Sequence, residues 1–207
     1  MRTASIGVLP RITVGILTCC AIASLSSGCG PKAPADEAKE ALTLGVDLAK
    51  QGKIDDAIYE FSRCIKLDPR SAMAFNNRGL MYGKQKIFNL AMIDFNTALA
   101  IDPKYAAAYN NRGNVEDELE KYVDAKIDYD RAIACDPNDP AGYVNRALAY
   151  FKVGQMENAV HDYTSAIALD PKDRNLYTYR AACYDKMLQP EAAEADRIKA
   201  RELSNIK

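Results

Sequence analysis

Pro69, Pro103, Pro137 and Pro171 stand 34 residues apart, and each follows an aspartate: Asp68, Asp102, Asp136 and Asp170. A constant step of this length constrains the fold more than composition does. Each copy must be one supersecondary unit that buries its apolar face only by stacking on the next. Other ladders keep the same step. Ala57, Ala91, Ala125, Ala159 and Ala193 form one; Phe61, Phe95, Tyr129 and Tyr163 form another. Phe75, Tyr109, Tyr143 and Tyr177 form a third, with Ala41 in the first unit, and Gly45, Gly79, Gly113, Ala147 and Ala181 form a fourth.

Inside one unit the spacings are helical. Tyr143, Ala147 and Tyr150 lie at i, i+4 and i+7, one face of a first helix, and Ala159, Tyr163 and Ala166 repeat that pattern on a second. Gly154 falls between them, where a turn is needed, and Asp170-Pro171 ends the hairpin. Small residues let the paired helices approach, and an aromatic from each fills the remaining space. Tyrosine serves where its ring is buried and its hydroxyl finds a partner, which accounts for twelve Tyr against five Phe.

The small–aromatic–Pro signature of this 34-residue unit resembles the tetratricopeptide repeat. The resemblance implies an all-α fold, a right-handed α-solenoid of stacked antiparallel helix hairpins. Five units are expected over 38–207: 38–71, 72–105, 106–139, 140–173 and 174–207. The first unit carries Ala41 at the aromatic site. The last carries Arg197 at the second-helix aromatic site and Asn205 at the proline site, as suits a polar cap. Glu116 takes a tyrosine position in the third unit, which disturbs local packing.

Ahead of the repeats lies a different kind of segment. Residues 1–28 hold Arg2 and Arg11 but no acid, and an apolar run from Ile12 to Leu25 is shorter than the roughly 20 residues of a spanning helix. Leu25-Ser26-Ser27-Gly28-Cys29 then resembles a bacterial lipoprotein signal, with Ser26 where an aliphatic residue is usual. The resemblance implies cleavage after residue 28 and a lipid anchor on Cys29, with Gly30 favouring the outer membrane where the cell has one. An ordinary secretory signal or an uncleaved anchor is the alternative. Residues 29–37 read as the lipidation site and a flexible tether, rich in proline and without apolar periodicity.

Composition excludes several functions. A net charge of −1 gives no electrostatic footprint for nucleic acid. Cys64, Cys135 and Cys183 are isolated, no CxxC occurs and the one histidine, His161, has no cysteine nearby, so no metal or other cofactor is expected. His161 beside Asp162 lacks a nucleophile, and single glycines form no phosphate-binding loop, so no catalytic set emerges.

Binding residues are expected on the first helices, which by resemblance line the concave face. Asn77, Asn111 and Asn145 share one place in successive units, with Asn76, Asn110 and Asn114 nearby. A carboxamide both donates and accepts, so such a ladder can hold an extended peptide backbone; the alternative is bonding to the adjacent repeat. Lys50, Lys84, Lys152 and Lys186 form a basic rim or simply solvated helix ends. Arg78, Arg112, Arg146 and Arg180 accompany Asp94, Asp128, Asp162 and Asp196 in the same four units and read as interhelical ion pairs. The family's clamp for chaperone tails is absent, because Asn76, Ala141 and Asn145 occupy its lysine and arginine sites. The expected function is a membrane-tethered adaptor whose groove takes a peptide or helix of another protein. Self-assembly through an insufficiently polar end is the alternative.

Overall fold

The computed structural model describes residues 33–204. The signal segment and Cys29 lie outside the described residues. Among the described residues ten helices follow one another: α1 (Pro34–Lys50), α2 (Ile54–Leu67), α3 (Ala72–Lys84), α4 (Phe88–Ile101), α5 (Ala106–Glu118), α6 (Tyr122–Cys135), α7 (Pro140–Lys152), α8 (Met156–Leu169), α9 (Arg174–Lys186) and α10 (Pro190–Ser204). Each odd helix pairs with the even helix after it, and each even helix packs on the next odd one. This is the expected solenoid of antiparallel hairpins. One boundary differs: α1 begins at Pro34, so the last residues of the expected tether are helical. Pro at the first helical position, then Asp36 and Glu37 in the first turn, favour that early start.

The Asp-Pro steps act through a local bond. Asp68, Asp102, Asp136 and Asp170 cap the second helices, and each carboxylate accepts the backbone N–H two residues on, at 3.0, 3.0, 3.1 and 3.2 Å. This turns the chain before the next first helix starts. Within each hairpin one residue adopts a left-handed backbone: Gly52, Lys86, Glu120, Gly154 and Leu188. They keep the 34-residue step, but only two are glycine.

The core is a row of similar clusters. Phe61, Phe95, Tyr129 and Tyr163 are all at most 2% exposed. Each such ring contributes about 1.5–3 kcal/mol on burial. A Cβ on Gly45, Gly79 or Gly113 would sit 2.6, 2.9 or 2.7 Å from Phe61, Phe95 or Tyr129. Those glycines are therefore fixed by close helix approach. The tyrosine bias also gains a cause. Tyr109, Tyr143 and Tyr177 donate their hydroxyls to the carbonyls of Pro103, Pro137 and Pro171 at 3.3, 3.4 and 3.1 Å, and the Tyr129 hydroxyl donates to Asn114 at 2.9 Å. Cys64 and Cys183 are buried and Cys135 is half-buried; burial pushes the Cys183 thiol up to about 11.

Candidate functional site: a trough along the first helices

The arginine ladder forms the backing of the stack. Arg78, Arg112, Arg146 and Arg180 each grip the aspartate of their own hairpin with two parallel bonds of 2.6–2.8 Å. The remaining guanidinium nitrogen reaches the second helix of the preceding hairpin, at Ser62, Asn96, Asp130 and Thr164. Each arginine therefore ties three helices. The rings of Phe75, Tyr109, Tyr143 and Tyr177 lie 5.6–5.9 Å from it. The carboxylate bonds hold these guanidinium pKa values above their ordinary value. The expected ion pairs are present, and their bidentate geometry fixes register.

The asparagines divide into two sets. Asn76 is buried; its Oδ1 accepts from Asn111 Nδ2 at 2.9 Å, and its Nδ2 donates to Asn77 at 3.3 Å and Tyr105 at 3.5 Å. Asn110 is also buried, and its Oδ1 has no hydrogen-bond partner. Asn114 accepts from the Tyr129 hydroxyl through its Oδ1, is exposed, and lines a pocket between α3 and α5. Asn76 and Asn110 are thus the buried pair, with Asn76 bonded across the seam to Asn111. Asn77, Asn111 and Asn145 are half-buried on α3, α5 and α7. Lys152 is likewise tied, to Asp117 of the preceding hairpin, with its ammonium 6.0 Å from the Tyr122 ring. It is not a rim cation, because the buried Asp117 draws it across the seam. Lys84 remains exposed.

Two adjoining pockets open between the first helices. One, about 250 Å³, lies between α1 and α3 and is lined by Val46, Ala49, Phe61, Asn77, Leu80 and Lys84. The other, about 390 Å³, lies between α3 and α5 and is lined by Leu80, Lys84, Phe88, Phe95, Asn111 and Val115. Leu80 and Lys84 belong to both. Each pocket thus has an aromatic floor, an amide and an ammonium. The apolar lining at Leu80 and Val115 was not singled out in the sequence. Further along, Tyr179 takes the ladder place held by Asn in three earlier units; it is 47% exposed and its ring centroid is 5.8 Å from that of Tyr163.

One polar site is under electrostatic stress. Burial, then the nearby Asp128 carboxylate, pushes the Glu116 carboxyl up to about 7, against the opposing pull of Arg112. Its Oε2 is buried without a hydrogen-bond partner. Asp128 is already held by Arg112, so no cation is left over for Glu116. His161 is exposed, 3.3 Å from Asp162. Among the described residues no cluster of three or more His, Cys, Asp or Glu is placed to hold a metal, and no helix is long and apolar enough to cross a membrane.

No curated protein matches this sequence. Solved structures are similar in fold. PilF of Pseudomonas aeruginosa aligns with a TM-score of 0.76 at 18% identity, over 83% of this chain and 78% of that one. MamA of Desulfovibrio magneticus RS-1 aligns at 0.70 and 19%, over 83% and 98%. YrrB, described as a TPR protein with an unusual peptide-binding site, aligns at 0.63 and 18%, over 83% and 92%. At these identities the likeness speaks for the fold alone. Family profiles described as tetratricopeptide repeat match residues 106–139 and 140–173, and one described as TPR repeat matches 45–86. Together these matches take in more than half of the chain, and two of them coincide with the α5–α6 and α7–α8 hairpins, so the chain belongs to the tetratricopeptide-repeat family.

Proposed function

We infer that this chain is a non-enzymatic adaptor whose first-helix trough receives an extended peptide or a helix from another protein. The observation that carries this is the pair of adjoining pockets sharing Leu80 and Lys84. Apolar floors at Phe61 and Phe95 reward side-chain burial, while Asn77 and Asn111, each bonded to Asn76 through one amide atom, line the pockets and would offer a backbone the other. The peptide-binding site named for YrrB supports a similar use of the fold here. A lipid on Cys29 would hold the adaptor at a membrane of the bacterial cell envelope; each buried acyl methylene adds about 0.8 kcal/mol to that tether.

A random-peptide display selection against the chain tests the trough. Peptides should be enriched, and the double variant Leu80→Glu/Lys84→Glu should lose them while keeping its helicity. Enrichment that survives that variant, or none at all, removes the trough from the function. The tether has its own test. Labelled palmitate should enter the wild type in a bacterial host and not Cys29→Ala; an unlabelled wild type refutes the anchor.

A further inference from the structure

Contacts across the internal seams, one of them the recurring arginine bond, can be continued past the ends of the stack. At each seam, residues of a first helix meet fixed places on the preceding hairpin. Arg146 meets Asp130 on the second helix before it. Gly142 lies against Ile133, where an added Cβ would be 2.8 Å from Cγ1. Asn111 donates to Asn76 on the preceding first helix. Shifted by whole repeats, the first-helix places fall on Leu44, Glu40 and Thr43 of α1. The places they meet fall on Ile198 and Arg201 of α10 and Thr178 of α9.

Two of the three substitutions are complementary, one pair apolar and one pair oppositely charged. Where the interior pairs an arginine with a polar group, the ends offer Leu44 and Ile198, each 46% exposed. Where the interior pairs a small residue with isoleucine, they offer Glu40 and Arg201, opposite charges that are exposed although each also has a partner within its own chain. Where it pairs two amides, they offer Thr43 and Thr178, exposed residues whose hydroxyls donate to the Lys39 and Arg174 carbonyls of their own helices. The fields agree as well. A cleft of about 460 Å³ between α9 and α10 is lined by Arg174, Arg197 and Arg201 together with Thr178. Two acids stand beside them: Glu194 pairs with Arg197 and Arg201, and Asp185 pairs with Arg197. The first turn of α1 carries Asp36 and Glu37, with Glu40 one turn on.

We propose that the cleft on α9 and α10 is a docking seat for α1 of a second copy, so that copies join head to tail in the register of the internal seams. The contact is heterologous, so it leaves one end open and propagates. It is independent of the trough reading, since no pocket-lining residue of the trough enters the joint. Its exposed charges make it sensitive to salt.

Sedimentation velocity of the 207-residue chain tests this, in mild detergent that keeps the apolar 12–25 run from driving association. Over a hundredfold range of concentration the average mass should climb through a ladder of species. Arg201→Glu and Glu40→Arg should each weaken the joint at least tenfold with unchanged circular dichroism. A 1:1 mixture of the two variants should regain the ladder, because every joint then pairs opposite charges. A concentration-independent monomer overturns the proposal. So do single variants that associate like the wild type, or a mixture that stays apart.

Discussion

Removing the Arg146 guanidinium should cost more than its partial exposure suggests. The Asp162 side chain beneath it is 2% exposed, and Arg146 supplies both of its short bonds, at 2.7 and 2.8 Å. In Arg146→Met the carboxylate keeps only the His161 contact at 3.3 Å, on an exposed ring. Stripping one partner from a buried pair costs about 3–5 kcal/mol. The lost bond to Asp130 adds little, since Asp130 is 43% exposed and lies 3.7 Å from Lys126. Asp162→Leu alone strands the guanidinium, whereas the double variant removes both charges and should return to within about 1–2 kcal/mol of the parent. The cycle should therefore show coupling of about 2 kcal/mol or more. Urea unfolding followed by far-ultraviolet circular dichroism and tyrosine fluorescence supplies the four stabilities, with coincidence of the two probes as the check on cooperativity. A single-variant loss under about 1 kcal/mol, or coupling under about 0.5 kcal/mol, would refute the account of the ladder as a buried register lock.

Other perturbations give independent checks. Gly113→Ala would place its methyl 2.7 Å from Tyr129 and 3.2 Å from the Ala125 carbonyl, so thermal melts should show a loss of about 1–3 kcal/mol. Glu120 holds a left-handed backbone at φ 61°; Glu120→Gly should gain about 0.5 kcal/mol, the relieved strain exceeding the added chain entropy. The Glu116 carboxyl is raised to about 7 in the fold, so the folded chain binds that proton more tightly than the unfolded one. Its contribution should fall as pH rises from about 4.5 to 7 and beyond. Glu116→Gln should remove that dependence and gain on the order of 1 kcal/mol at pH 8 once screening is allowed for, measured by urea titration at several pH values. Lys152→Met should destabilise through the buried Asp117 it leaves behind, with a loss of about 1–3 kcal/mol by the same titration.

The hairpins were legible because a repeat writes its packing several times over. Ala159 and Tyr163 mean little alone, but their copies at 34-residue intervals give both the helical faces and the seams. The Arg–Asp ladders were legible for the same reason: their two members are present or missing together. Two of the five left-handed turns carried a glycine to mark them; Lys86, Glu120 and Leu188 did not, and the hairpin geometry imposes the conformation there.

What one ladder does was a different matter. Asn76 and Asn77 are adjacent and chemically identical, yet one is buried between repeats and the other lines a pocket. Side chains one residue apart on a helix point about 100° from each other, and only the position of the next hairpin decides which direction is covered. Lys152 repeats Lys84 in sequence, yet it is drawn off by Asp117, 35 residues earlier and one turn of the stack away. The sequence by itself determined the repeat, its helices and its register pairs, because these follow from local periodicity and from copies of one unit. The identity of the exposed polar groups, the twin pockets and the stressed carboxyl at Glu116 were decided by the tertiary structure, because burial is a property of neighbours that are distant along the chain.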